Sequence, residues 1–89
     1  MGLFHVGQLF ITPGAIDCCT NNGVEVHVLL ARHLKGDWGD VDPSDKAAND
    51  KAIHDGTRIF SAYQFAAGKV WIITEADRSS TTILLPEEY

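Results

Sequence analysis

Eighty-nine residues make one domain, residues 1–89, and no more. With 45% hydrophobic and 21% charged residues, the composition is that of an ordinary globular chain, which excludes a disordered polypeptide and leaves room for one compact core. Seven basic against twelve acidic residues give a net charge of −5 with no basic stripe, so autonomous nucleic-acid binding is not expected and a basic protein surface is the better electrostatic match.

The stretch from Met1 to Ile11 lacks the basic start of a signal peptide and is interrupted by His5, Gly7 and Gln8. No run approaches the about 20 apolar residues of a membrane span. A cytoplasmic location and no membrane partner are therefore expected. Residues 4–11 are rich in Phe, Val and Ile and predict a strand, with a bulge or close backbone approach at Gly7. Thr12-Pro13 reads as a helix cap followed by proline in the first turn, opening a short helix from Pro13 to about Thr20 that Asn21-Asn22-Gly23 stops. Cys18 and Cys19 are adjacent and cannot converge on each other, so they read as two reduced thiols, one buried and one at an edge.

Residues 24–34 carry two patterns. Val24, Val26 and Val28 alternate as in a strand, whereas Val26, Leu29, Leu30 and Leu34 recur at helical spacing. Helix is the reading for the second half, ending near Lys35-Gly36, with residues 24–28 open. An acidic, glycine-punctuated loop follows over residues 36–45. Asp42-Pro43 then starts a helix through Ala47, Ala48, Ala52 and Ile53 to Gly56. Arg58 to Phe65, Val70 to Glu75 and Thr81 to Leu85 read as three strands, joined by a loop over residues 66–69 and a turn over residues 76–79. The expected fold is α+β: a small antiparallel sheet of three C-terminal strands plus the N-terminal strand, packed against two to three short helices. Part of its stability could come from a homodimer, since small cores are marginal.

Three places could carry chemistry. In Gly36-Asp37-Trp38-Gly39-Asp40 a large ring sits between glycine-flanked carboxylates. Either Trp38 anchors the loop on the core while the aspartates cap turns, or Asp37, Trp38 and Asp40 form a binding edge. The polar run from Thr74 to Thr82 could pair Asp77 with Arg78 and satisfy its own turn, or present Asp77 and Arg78 to a ligand. If the domain were a small hydrolase of RNA, His33, Glu75, Arg78 and Thr82 would be its candidates, although the acidic charge argues against a polyanionic substrate. Trp71, Tyr63 and Phe65 would serve a small-ligand pocket, or simply the core. No GxSxG elbow, HExxH or phosphate-binding glycine loop is present. Asp37, Asp40, Asp42 and Asp45 lack calcium-loop spacing, because only Asp40 and Asp42 alternate and Pro43 follows. No metal or cofactor is expected.

Ala31-Arg32-His33 running into Gly36-Asp37-Trp38-Gly39-Asp40, then Ile59-Phe60-Ser61-Ala62-Tyr63, then Trp71 to Ser79 with Thr81 to Tyr89, together resemble a family of short bacterial proteins labelled "plasmid-related". These occur on plasmids, integrative elements, phages and integron cassettes. The resemblance spans about residues 31–89 and brings no catalytic residues with it. It implies a cytoplasmic accessory protein of a mobile genetic element. With the small size, the acidic charge and the missing catalytic motifs, the expectation is a non-enzymatic protein that binds a protein partner, with defence or counter-defence as one setting.

Overall fold

A computed structural model describes residues 2–89; Met1, the first residue of the stretch read for a signal peptide, lies outside them. The elements in chain order are β1 (Gln8–Ile11), α1 (Pro13–Asn21), α2 (Val26–Leu34), α3 (Pro43–Asp55), β2 (Ile59–Phe65), β3 (Gly68–Thr74) and β4 (Ser80–Leu84), followed by a 3-10 turn over Pro86–Glu88. The fold class is α+β, as expected. No helix among the described residues is long and apolar enough to cross a membrane.

Local chemistry sets the helix ends. The Thr12 side chain accepts from the Ala15 amide at 3.1 Å and Asp42 accepts from the Asp45 amide at 2.9 Å, each with a proline in the first turn. The ambiguous stretch is helical from Val26 onward. Its buried residues, Leu29 and His33, are four apart and share the inward face, and that burial outweighs the valine alternation.

The sheet order is β1-β4-β3-β2. β2, β3 and β4 form an antiparallel meander, whereas β1 pairs with β4 in parallel. The three C-terminal strands are thus antiparallel and the N-terminal strand joins their sheet, as expected, and only its pairing is parallel. Three helices separate β1 from the meander, and a connection of that length permits parallel pairing where a tight hairpin cannot. The β2–β3 connection is also tighter than expected. Phe65 pairs with Gly68, so Gly68 and Lys69 belong to β3 and only Ala66-Ala67 turn.

Register divides the sheet residues between two faces. Ile59, Ser61 and Tyr63 of β2, Val70, Ile72 and Thr74 of β3, Thr81 and Ile83 of β4, and Leu9 and Ile11 of β1 share one side. Ala15, Cys18 and Cys19 of α1 and Leu29 of α2 pack there against Tyr63, Val70, Ile72 and Ile83. Both thiols are buried, which corrects the expectation of one at an edge: α1 presses directly on the sheet, and burial raises the Cys19 thiol. A second cluster, Trp38, Ala52 and Ile59 with Phe4, Val41 and Ile53 against it, joins α3 to β2. The opposite face holds Phe60, Ala62, Lys69, Trp71, Ile73, Thr82, Leu84 and Phe10, none of which belongs to the two helix-packed clusters, and α3 reaches its border through Asp45.

Candidate functional site

The acidic loop lies along the outer edge of β2. The Asp40 amide donates to the Ala62 carbonyl at 2.6 Å, and the Ala62 amide donates to the Trp38 carbonyl at 3.1 Å. The Asp40 carboxylate accepts from the Gln64 amide at 2.8 Å. Gly39, with φ of 75°, makes the bridge possible, since a Cβ there would collide with the Ala62 carbonyl and the Tyr63 ring. One position further along the edge, Asn49 of α3 takes both outward groups of Phe60: its Nδ2 donates to the carbonyl at 2.6 Å and its Oδ1 accepts from the amide at 3.0 Å. The loop therefore acts as a short extra strand.

Trp38 is only 3% exposed. Its Nε1–H donates to Asp50 at 2.9 Å, and this bond lowers the Asp50 carboxyl below the ordinary range. The ring belongs to the core and offers nothing to a partner, so of the two readings of this loop the anchoring one matches the geometry. Asp37 receives the Arg32 guanidinium through two bonds, at 2.7 and 3.2 Å, which hold its carboxyl low, and Arg32 lies 4.5 Å over the Tyr63 ring.

Behind the loop runs a polar chain that sequence reasoning did not assemble. His33 Nδ1 lies 2.6 Å from Ser61 Oγ and Nε2 lies 2.9 Å from Thr74 Oγ1; Thr74 Oγ1 is 2.8 Å from Thr81 Oγ1, which donates to the Val6 carbonyl at 2.8 Å. A carbonyl only accepts, so the direction is fixed throughout. Thr81 donates to Val6, Thr74 to Thr81, His33 Nε2–H to Thr74, and Ser61 to His33 Nδ1. All four side chains are fully buried, and desolvation pushes the His33 imidazole down to about 4. Phe4 and Trp38 close over the ring at 5.2 and 5.8 Å. A serine hydroxyl on a histidine looks like nucleophile chemistry, but this pair is sealed from substrate and has no carboxylate behind it.

The hydrolase candidates do not meet. His33 is inside on the helix side, Thr82 is on the opposite face, and Glu75 follows the end of β3. Arg78 is a strut. It has φ of 61°, and its two terminal nitrogens donate to the carbonyls of Thr57 and Ala52 at 2.6 and 2.8 Å and to those of Glu75 and Ala76 at 3.1 and 3.3 Å. It does not pair with Asp77, whose carboxylate instead accepts from the Ser79 amide at 2.9 Å. This turn meets the chain closely at Gly7, where a Cβ would strike the Arg78 and Ser79 backbone; the close approach was expected, but inside a strand over residues 4–11, whereas β1 begins only after it, at Gln8. Phe4 links the two polar regions, stacking on Trp38 at 6.3 Å, with the Arg78 guanidinium 5.7 Å from the centre of its ring. The proposed ligand aromatics also separate: Tyr63 is in the core, donating to the Asp37 carbonyl, and Trp71 is on the far face.

That far face carries the most accessible aromatic group. Phe60 and Trp71 meet edge to face at 5.0 Å, Trp71 and Tyr89 at 5.9 Å, and Arg58 reaches the Tyr89 ring and hydroxyl. With Asp45 and Ile73 they line an open concavity of about 330 Å³. The C-terminal tail folds back through its 3-10 turn to place Tyr89 there, where it stays 70% exposed. Arg58, Phe60 and Tyr89 carried no motif in the sequence; the alternation of Phe60 with buried Ile59 was the one available sign that it faces outward.

Among the described residues, no three His, Cys, Asp or Glu side chains gather to hold a metal ion. No family model matches the chain, and neither a curated protein nor a solved structure matches it.

Proposed function

We propose that this domain is a non-enzymatic binding protein whose partner is another protein, and that it makes contact through the sheet face around Arg58, Phe60, Trp71 and Tyr89. The observation that carries this reading is the aromatic chain with its arginine, held in an open concavity on the face opposite the α1–α2 core. The few residues that dominate binding at protein interfaces are enriched in Trp, Tyr and Arg. Support also comes from the scatter of the catalytic candidates and from the net charge of −5, which suits a partner with a basic surface. The resemblance of residues 31–89 extends the proposal to an accessory role in a bacterial mobile genetic element, in the cytoplasm.

Affinity capture of the tagged chain from a bacterial lysate, followed by mass spectrometry, tests this. One stoichiometric partner should be recovered, and both Tyr89→Ala and Arg58→Ala should lose it while unfolding as the parent does. Capture that is indifferent to both substitutions would reject this face.

A further inference from the structure

We infer that two copies of this chain associate through β1, antiparallel about a two-fold axis, so that two four-stranded sheets become one continuous sheet. The starting point is the free edge. On the β4 side, the Gln8 amide donates to the Ser79 carbonyl at 2.9 Å and the Thr12 amide to the Ile83 carbonyl at 3.0 Å. Residues on a strand alternate in the neighbour they address, so the N–H and C=O groups of Leu9 and Ile11 point away from β4. No hydrogen bond among the described residues takes them up.

The side chains on this edge are apolar on both faces. Leu9, Phe10 and Ile11 are 39%, 48% and 36% exposed, without the charge, proline or bulge that normally blunts an edge strand. Leu9 and Ile11 border an apolar groove of about 440 Å³, which Ile16, Val24, Val26 and Leu30 continue on the helix side.

The occupant follows from register. Antiparallel pairing of Phe10 with Phe10 of the second copy sets Leu9 opposite Ile11 and Ile11 opposite Leu9. Every outward N–H and C=O of β1 then finds a partner, giving four hydrogen bonds, and Phe10 falls at the close, non-hydrogen-bonded position. Both grooves lie on the same side of the joined sheet, where Leu9 and Ile11 of each copy can fill them. The neighbouring registers fail. Centring on Ile11 sets Leu9 against Pro13, which has no N–H, and centring on Leu9 sets Ile11 against Gly7, which leaves the extended conformation at φ of 64°. β1 carries no charged residue, so the acidic chains do not meet like charge at the seam. Because the other edge of the sheet is sealed by Asn49 and the Trp38–Asp40 loop, growth stops at two copies.

Sedimentation equilibrium over a wide concentration range should show a dimer, and Leu9→Lys should convert it to a monomer with the same circular dichroism. The register has its own test. Phe10→Cys should oxidise to a disulfide-linked dimer, since opposed Cα atoms at that position lie about 4.5 Å apart. Leu9→Cys alone should not, because its counterpart is displaced by about 7 Å along the strand; a mixture of Leu9→Cys and Ile11→Cys should cross-link. A monomer at every concentration, a dimer that survives Leu9→Lys, or equal cross-linking of Phe10→Cys and Leu9→Cys would overturn the inference.

Discussion

At the β2 edge, Phe60 gives its outward backbone groups to Asn49, Ala62 gives its pair to Trp38 and Asp40, and Gln64 gives its amide to Asp40. At the β1 edge, the corresponding groups of Leu9 and Ile11 face outward between exposed apolar side chains. Sealing an edge takes side chains and backbone from elsewhere in the chain, and α3 and the acidic loop supply them only to β2. After β1 the chain turns at once into α1, so nothing folds back alongside. The least ordinary stretch of the sequence, Asp37 to Asp40, is therefore explained as negative protection of one edge, and the plain stretch Gln8–Ile11 becomes the reactive one.

The contrast can be broken most severely at Trp38. Trp38→Ala removes a buried ring and should cost about 3–5 kcal/mol in denaturant unfolding. The Ala62 and Gln64 amides should then exchange faster with solvent; unchanged protection would mean that the loop seals β2 without its anchor.

The buried chain behind the loop makes the same region sensitive to acid. His33 titrates at about 4 in the folded protein against 6.5 when free. Below 6.5 the unfolded chain takes up a proton that the native one refuses until about 4. Stability is therefore full above 6.5 and declines as the pH falls through that window, by about 3 kcal/mol in all. Urea midpoints from pH 7 to 4 read this directly, and His33→Gln should flatten the slope between pH 6.5 and 4.5; a parent protein with no slope there would show that the imidazole is not held neutral.

Asn49→Ala should cost less, about 1–3 kcal/mol for two orphaned backbone groups of Phe60. Because the Trp38–Asp40 loop still covers Ala62 and Gln64, light scattering should detect nothing larger than two copies; larger assemblies would mean that Asn49 alone seals this edge. The smallest change belongs to Leu9→Lys. At dilutions where the chain is monomeric, its unfolding free energy should move by less than about 0.5 kcal/mol, because the site is on the surface. A larger loss would mean that Leu9 already supports the monomer.

Much of this was legible early. Thr12-Pro13 and Asp42-Pro43 start helices where the sequence places them, and the three C-terminal strands lie within a residue or two of their expected ends. The site was harder to read. Asn49 has the composition of any surface amide, and its only sign is its position three residues before Ala52 and four before Ile53, on the inward face of α3. Phe4, Ser61 and Thr74 carry no motif, and Arg58 and Tyr89 become neighbours only when the tail turns back across the sheet.

The sequence by itself determined the helix caps at Thr12 and Asp42, the strands of the meander and the acidic charge. Each depends on residues within about one turn of one another or on a simple sum, so no distant contact can revise it. Only the tertiary structure decided that β1 runs parallel to β4, that Trp38 is internal, and that one edge is sealed while the other is free. Those outcomes depend on groups brought together from far apart, such as Thr81 and Val6 at 75 positions' separation. No local preference encodes which buried polar group will find which partner; the requirement that each find one does.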